Sequence, residues 1–590
     1  MGIGPIIVRG FWVVAFLLAL PKGYADEPAP AVGQITSPPS RIVATVYGAA
    51  GEVAGSLSVL DTGSARWMID CGALAPEREG EKEKRPEPVA QQSTLLPVDG
   101  RSIAAVFITH AHTDHVGRLP LLVEGGFRGP LYLTDATAEL LPLMLRMQVR
   151  YDEGRPRSWT WSKQAYERAR TGQRPVTVHW HAGCPYRNAI AQKNLESARL
   201  SFNELAARFE RQDPAVEVTP CRRCTDEEVA SIVALCRRVG YGKPAEVAPG
   251  VSVTLRDAGH IPGSASVLFE VRVGDKKRRV LFSGDVGNDL SPLFAGPQPA
   301  PDVDAVFMET TYGPTFRDPS VRNERAQFRR SVAEVVDRGG VAWIPAFALD
   351  RTQKILHELH LAQQEGMLSQ RVPIYCTSST ALEITGIYRQ RRQDGWFRDL
   401  PAGDPSAWSP EGLRKSAGLP KNLPYPSVLL TTSGMLDNGW SRRLVSRLAS
   451  EKSTTIFLVG YQDPASPGGM LMRAVGLLRE GTRDQASSIR PAAVLPSQDL
   501  SKPPAVPVLE LDGQRIPVRA AVQSYRCFSA HGDAKEMDAW LSEIHRTAAV
   551  ILVHGGTWEL TARAEQLVKQ GWRDVRIAKP GEPIDLMRTD

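Results

Sequence analysis

The hexapeptide His110-Ala111-His112-Thr113-Asp114-His115 puts four metal-competent side chains into six residues, directly after the apolar run 104–108. Imidazole and carboxylate donors together suit zinc, with manganese or iron as alternatives, and no thiolate is required. If the run is a buried strand, His110 and His112 leave its end on one side. Asp114 and His115 then follow where the chain turns toward a helix predicted at 119–124. That spacing can serve two adjacent metals. Crowding three imidazoles and a carboxylate without one is costly, which argues against a mere strand cap.

Asp70, His260, Asp285 and His554 sit after apolar runs in the same way. One charged residue after one strand means little, since strands commonly exit into polar turns. Five metal-competent residues at strand ends form a constellation, and open α/β sheets place their chemistry at such ends. A second pattern is His181-x-x-Cys184 with Cys221-x-x-Cys224, which has the spacing of a structural zinc knuckle. The same cysteines also fit a disulfide, Cys221 to Cys224 or one containing Cys184, or no bond at all. Cys71, Cys236, Cys376 and Cys527 stand singly in or beside apolar runs and read as core residues.

These side chains need a large scaffold to position them. At 590 residues with 42% hydrophobic content, the chain supports two domains plus insertions. Its 71 basic and 65 acidic side chains leave a net charge of +6, too mild an excess to identify an anionic partner. Residues 1–25 read as a cleavable signal peptide, with Arg9, an apolar block at 11–20 and small residues before 26. Export to an extracytoplasmic space follows from it, with a cytoplasmic protein as the alternative if the start is over-extended. The block is too short to span a bilayer comfortably, so no stable membrane span is expected after signal removal. Residues 26–40 form a Pro-rich linker. Short strands joined by tight turns follow from 41 to 69, and 77–96 is a charged excursion. Residues 151–220 lose apolar periodicity apart from a helical stretch near 188–211 and read as an insertion. From 312 to 483, helices alternate with short apolar runs, the texture of a parallel α/β unit. Residues 484–517 make a further insertion and return strand, and 518–590 close the core.

The ordered motifs resemble the metallo-β-lactamase superfamily: His110 to His115, Asp70 in Met-Ile-Asp-Cys-Gly, His260 in Gly-His-Ile-Pro-Gly-Ser and Asp285 in Ser-Gly-Asp-Val-Gly. Glu309 in Met-Glu-Thr-Thr-Tyr-Gly, Pro345-Ala-Phe-Ala-Leu-Asp-Arg, Ser433-Gly-Met-Leu, Ser529-Ala-His531-Gly-Asp533 and Val553-His554-Gly resemble its β-CASP branch. That branch includes ribonuclease J and the endonuclease of messenger-RNA 3′-end cleavage. The resemblance implies an αββα core spanning 41–311 and 518–590, interrupted by a β-CASP domain at 312–483, with the site in the cleft between them. It implies that His110, His112 and His260 hold one zinc, that Asp114, His115 and His554 hold a second, and that Asp285 bridges both. Asp70 orients ligands from behind, His531 protonates the leaving oxygen and Glu309 holds its imidazole. Ser433, Gly434 and Arg351, with Arg442 or Arg443, are candidate phosphate contacts. A histidine at 554 tilts the substrate toward RNA over DNA, and a homodimer is implied by the resemblance alone. The expected function is zinc-dependent phosphodiester hydrolysis, endonucleolytic on RNA. The alternatives are hydrolysis of a small ester, thioester or lactam by the same core, and a catalytically silent nucleic-acid-binding subunit.

Overall fold

The computed structural model describes residues 35–74, 96–153, 176–179, 216–219, 226–291, 293–397, 406–415, 423–477 and 506–587. Two seven-stranded sheets carry the core. Across the first run Pro583–Asp585, Val43–Gly48, Leu57–Asp61, Arg66–Ile69, Ala105–Phe107, Leu131–Leu133 and Cys236–Arg238. Across the second run Asp574–Ile577, Ala549–Val553, Ala305–Glu309, Lys276–Phe282, Ala265–Val273, Val251–Asp257 and Ala245–Ala248. Each sheet therefore joins an early segment to a late one, as expected of a core built from both halves of the chain.

The residue patterns explain which strand goes where. Val43–Gly48 is buried at every second residue, the signature of a strand with one covered face. Ala305–Glu309, in parallel register with Lys276–Phe282 and Ala549–Val553, is buried throughout, because helices cover what the facing sheet does not. Between the sheets Val46, Trp67 and Phe107 meet Val253, Phe269 and Phe307. Phe107 lies edge-on to Phe269 at 5.0 Å, and Phe282 stacks on Phe307 at 4.5 Å. Each such ring contributes roughly 1.5–3 kcal/mol of burial. On the outer face of the first sheet, Val116, Leu119, Leu140 and Ile232 bring in four helices; on that of the second, Met537, Trp540, Leu560 and Leu567 bring in two. The result is the αββα sandwich.

A third, wholly parallel sheet forms the inserted unit: Leu413–Lys415, Ile374–Cys376, Ser427–Thr431, Val341–Pro345, Thr454–Leu458 and Ala521–Ser524. Its helices Glu324–Asp337, Arg351–Gln364 and Ser379–Gln390 share one hydrophobic cluster with the core, while Gly439–Ala449 and Pro467–Ala474 pack on the opposite face. Arg391 reaches back to Glu139 on the core helix Asp135–Glu153, with Nε 2.9 Å from a carboxylate oxygen.

The structure corrects one boundary. Residues 518–590 read as core, yet Ala521–Ser524 pairs in parallel with Thr454–Leu458 at the edge of the third sheet. Its partly exposed residues suit an edge strand, and the preceding hairpin of Val508–Leu511 with Gln514–Pro517 packs with the same unit. The chain re-enters the core only with the loop that carries His531. Within the 151–220 insertion, the described residues form a parallel pair, Val176–His179 with Val216–Thr219, that the weak periodicity did not suggest. The helix Asp135–Glu153 also runs past its first boundary. The helical stretch near 188–211, the quartet His181, Cys184, Cys221 and Cys224, and the signal-like residues 1–25 lie outside the described residues. Among the described residues, no helix is long and apolar enough to cross a membrane.

Candidate metal centre

The predicted ligands converge where the central strands of both sheets end. Asp70 follows Arg66–Ile69 and His554 follows Ala549–Val553, each with a left-handed backbone, φ +59° and +52°. Such φ values are costly for residues with a Cβ and persist only when neighbours hold them. They do so here. The Asp70 carboxylate accepts the Thr109 N–H and hydroxyl, both at 2.8 Å, and lies 2.7 Å from His115 Nδ1. The His554 N–H donates to Ala49 O at 2.6 Å, and its carbonyl accepts the Thr310 N–H at 3.1 Å. Glycine at 72 is a steric requirement, since a Cβ there would lie 1.5 Å from the carbonyl oxygen of Asp114.

Two nests of donor atoms share one carboxylate. In the first, His112 Nδ1 is 3.0 Å from His110 Nε2 and 3.2 Å from His260 Nε2. Asp285 Oδ2 completes it, 3.4 Å from His110 Nε2 and 3.5 Å from His260 Nε2. In the second, Asp285 Oδ1 is 3.3 Å from His115 Nε2 and 3.5 Å from His554 Nε2, and Asp114 Oδ2 is 3.6 Å from His554 Nε2. The two oxygens of Asp285 thus face different nests, the arrangement of a bridging ligand.

The outward nitrogens set the tautomers. His260 Nδ1 lies 3.2 Å from Ala530 O, and His115 Nδ1 lies against Asp70, so both carry hydrogen there and turn Nε2 inward, with a lone pair on the neutral His260 ring. His110 Nδ1 meets Thr109 Oγ1 at 3.1 Å, and His554 Nδ1 meets Thr311 Oγ1 at 3.1 Å. Inward lone pairs brought this close repel unless a cation lies among them. In agreement, His115 Nε2, His554 Nε2 and Asp285 Oδ1 are buried with no hydrogen-bond partner. The donor set fits metal ions in both nests.

Electrostatics separates the nests. Burial pushes the imidazoles of His110 and His260 well below the ordinary histidine range, and His112 below it. Burial opposes charge on His115 too, but the carboxylates of Asp285, Asp70 and Asp114 outweigh it and hold that ring well above the range. His554 is raised likewise, against burial, by Asp285 and by the Asp114 carboxylate 3.6 Å away. Against burial, His554 and His115 hold the Asp285 carboxyl well below its usual range.

Beside the first nest, His531 Nδ1 lies 3.0 Å from Glu309 Oε1, and Nε2 lies 3.9 Å from Asp285 Oδ2. Glu309 is itself held by the backbone N–H groups of Val286 at 2.8 Å and Thr311 at 3.2 Å. The phosphate candidates stand on the inserted unit. The Ser433 hydroxyl donates to Asp437, the Gly434 carbonyl accepts from Gln462, and buried Arg351 donates to Val459 O. Arg442 pairs with Asp512, and Arg443 lies over the Trp440 ring. Sequence reasoning missed Thr109 and Thr311, which back the ligands, and Asn288 and Arg317, which grip the His531 loop. The hydroxyl residues stand next to motif residues, a signal available but not distinctive.

Comparison with known proteins agrees with this geometry. Residues 50–187 match the metallo-beta-lactamase superfamily, 352–471 the Beta-Casp domain, and 515–577 the Zn-dependent metallo-hydrolase RNA specificity domain. The chain is 26% identical over 547 residues to a ribonuclease of Thermus thermophilus, covering 91% of this chain and 98% of that one. It is 26% identical to the transcription termination factor FttA of Methanosarcina mazei, over 75% of this chain and 59% of that one. It is 29% identical to cleavage and polyadenylation specificity factor subunit 3 of Dictyostelium discoideum, over 56% of this chain and 38% of that one. The chain thus spans just over half the length of the second relative and well under half of the third. The three domain matches, on a sandwich interrupted where the Beta-Casp match falls, place the chain in the β-CASP branch of the metallo-β-lactamase superfamily, and the carboxylate shared by two donor nests agrees with it.

Proposed function

We propose that this protein is a zinc-dependent ribonuclease that cuts within RNA chains, with two metal ions in the paired nests and His531 as general acid. The observation that carries the reading is the Glu309–His531 pair. Metal binding alone does not need a further imidazole, yet this one is fixed at Nδ1 by a carboxylate while Nε2 faces the bridging ligand. Its side chain is 21% exposed whereas those of His110, His115 and His260 are at most 1% exposed, so substrate can reach it. RNA is favoured by His554, by the RNA-specificity domain match and by the RNA-processing names of the relatives.

His110, His112, His260 and Asp285 would hold one ion, and Asp114, His115, His554 and Asp285 the other. Zinc bound there supplies Lewis acidity toward a phosphodiester and lowers the pKa of water. The residues do the rest. Asp70, Thr109, Thr311 and the Ala530 carbonyl keep the ring lone pairs aimed inward. Glu309 holds the His531 ring so that a proton on Nε2 is directed into the cleft, where it can pass to the departing ribose oxygen. Such proton transfer is worth about 10²–10⁴-fold.

The test is cleavage of end-labelled single-stranded RNA, a matched DNA and a closed RNA circle by wild type and His531→Ala, with and without chelator. Metal-dependent cutting of linear and circular RNA, reduced at least about 10²-fold in the variant, is expected. A fully zinc-loaded protein that cuts neither polymer would sink the reading.

A further inference from the structure

The loop that carries the acid has irregular backbone, so its carbonyls need donors from elsewhere. They find them at the metal centre. The Asn288 side chain, 2% exposed, donates from Nδ2 to Ser529 O and to His531 O, both at 2.9 Å. Its Oδ1 accepts the Leu290 N–H at 3.0 Å, which fixes the orientation of the amide. Between these two carbonyls, Ala530 O faces His260 Nδ1. The Gly532 N–H donates to Val286 O at 2.8 Å. Arg317, its side chain 4% exposed, grips the His531 carbonyl from another direction, and its Nη1 is anchored on Glu536 at 2.8 Å.

Asn288 stands three residues after Asp285, and the Val286 N–H between them donates to Glu309. One short segment therefore carries the bridging carboxylate, holds the partner of the acid and clamps the backbone of the acid. Glu309 by itself fixes only Nδ1 and leaves the ring free to pivot about that hydrogen bond.

We infer that Asn288 is a positioning residue, the spacer that sets His531 Nε2 at its working distance from the bridging carboxylate, with Arg317 as its counter-clamp. The inference rests on the ribonuclease reading. A misplacement of about 1 Å in a reacting group can cost about 10²-fold.

The experiment pairs Asn288→Ala, and the isosteric Asn288→Asp that keeps the volume but removes the donors, with His531→Ala in a double-variant cycle. All proteins are checked for zinc content and thermal unfolding. On RNA, both single variants at 288 are expected to lose about 10²-fold in kcat with KM changed by less than about threefold. In the His531→Ala background the same changes are expected to cost nothing more, because Asn288 acts through the acid. A p-nitrophenyl phosphodiester, whose leaving group departs without a proton, is expected to keep at least a third of its rate in Asn288→Asp. Losses that multiply in the double variant, a loss on the activated diester equal to that on RNA, or a change confined to KM overturns the spacer role and leaves the nuclease reading standing. RNA left intact by the zinc-loaded wild type overturns both.

Discussion

The two donor nests share Asp285 and little else. The first gathers three imidazoles, His110 and His260 buried and His112 partly so, backed by a hydroxyl on His110 and a backbone carbonyl on His260. The second is open at Asp114, whose side chain is 35% exposed, and it is backed by an anion, Asp70 against His115. In the first, desolvation decides the protonation state and the rings stand neutral, ready to bind. In the second, carboxylates overcome desolvation, and the metal-free rings hold protons that a cation must displace. Three imidazoles beside one carboxylate thus favour neutral donors, whereas two imidazoles between carboxylates favour protonated ones, which a cation entering the second nest would have to displace.

Replacing the shared group removes the comparison altogether. Asp285→Asn keeps the shape but deletes the anion that both nests face. Neither ion should then survive gel filtration in zinc-free buffer, and RNA cleavage should fall below detection; two retained zinc ions would refute the bridge. Asp70→Asn separates the nests instead. Asp70 touches His115 and Thr109 but reaches none of the inward nitrogens. Loss of such a backing partner typically costs about 10–100-fold in metal affinity. A competition titration with a chromophoric chelator should show that loss at one of two sites, and equal weakening at both would show that the nests are not independent.

What could be read beforehand follows the same division between local and distant. His110 to His115 are contiguous, and Asp70, His260, Asp285 and His554 each end an apolar run, so their types and placement are written next to one another. The left-handed backbone of Asp70 and His554 was not legible, because it is imposed by Thr109, Ala49 and Thr310 from other strands. Asn288 and Arg317 were invisible for a similar reason: each is an ordinary loop residue whose partner carbonyl lies more than two hundred residues away. Ser433 and Arg351 read as phosphate contacts; the Ser433 hydroxyl donates to Asp437 and Arg351 Nη1 to Val459 O, and the Arg351 partner, over a hundred residues away, is one that no local pattern announces. The strand Ala521–Ser524 directly precedes the acid loop in the sequence, whereas its parallel pairing with Thr454–Leu458 joins segments that no local pattern connects.

The difference between the nests also sets a pH order for metal loss. His115 has a folded pKa above its unfolded value, so its protonated form stabilises the metal-free fold fully below the ordinary value near 6.5, and that contribution disappears as pH rises through the raised value. His110, His112 and His260 have depressed values, so the metal-free fold gains stability as pH rises through those values toward 6.5. For zinc the consequence is opposite in the two places. Around neutral pH the second nest must release protons to bind, and its affinity should fall about tenfold or more for each pH unit below the raised values. The first nest releases none until pH drops below its depressed values and should hold its ion over the same interval. Two-site zinc titrations at pH 8, 7 and 6 should therefore give one affinity that declines and one that stays nearly level. The steeper slope should become shallower in Asp70→Asn, as one of the three carboxylates that raise His115 is removed while Asp285 and Asp114 remain, and equal slopes in wild type would mean that burial, not the carboxylates, governs both nests.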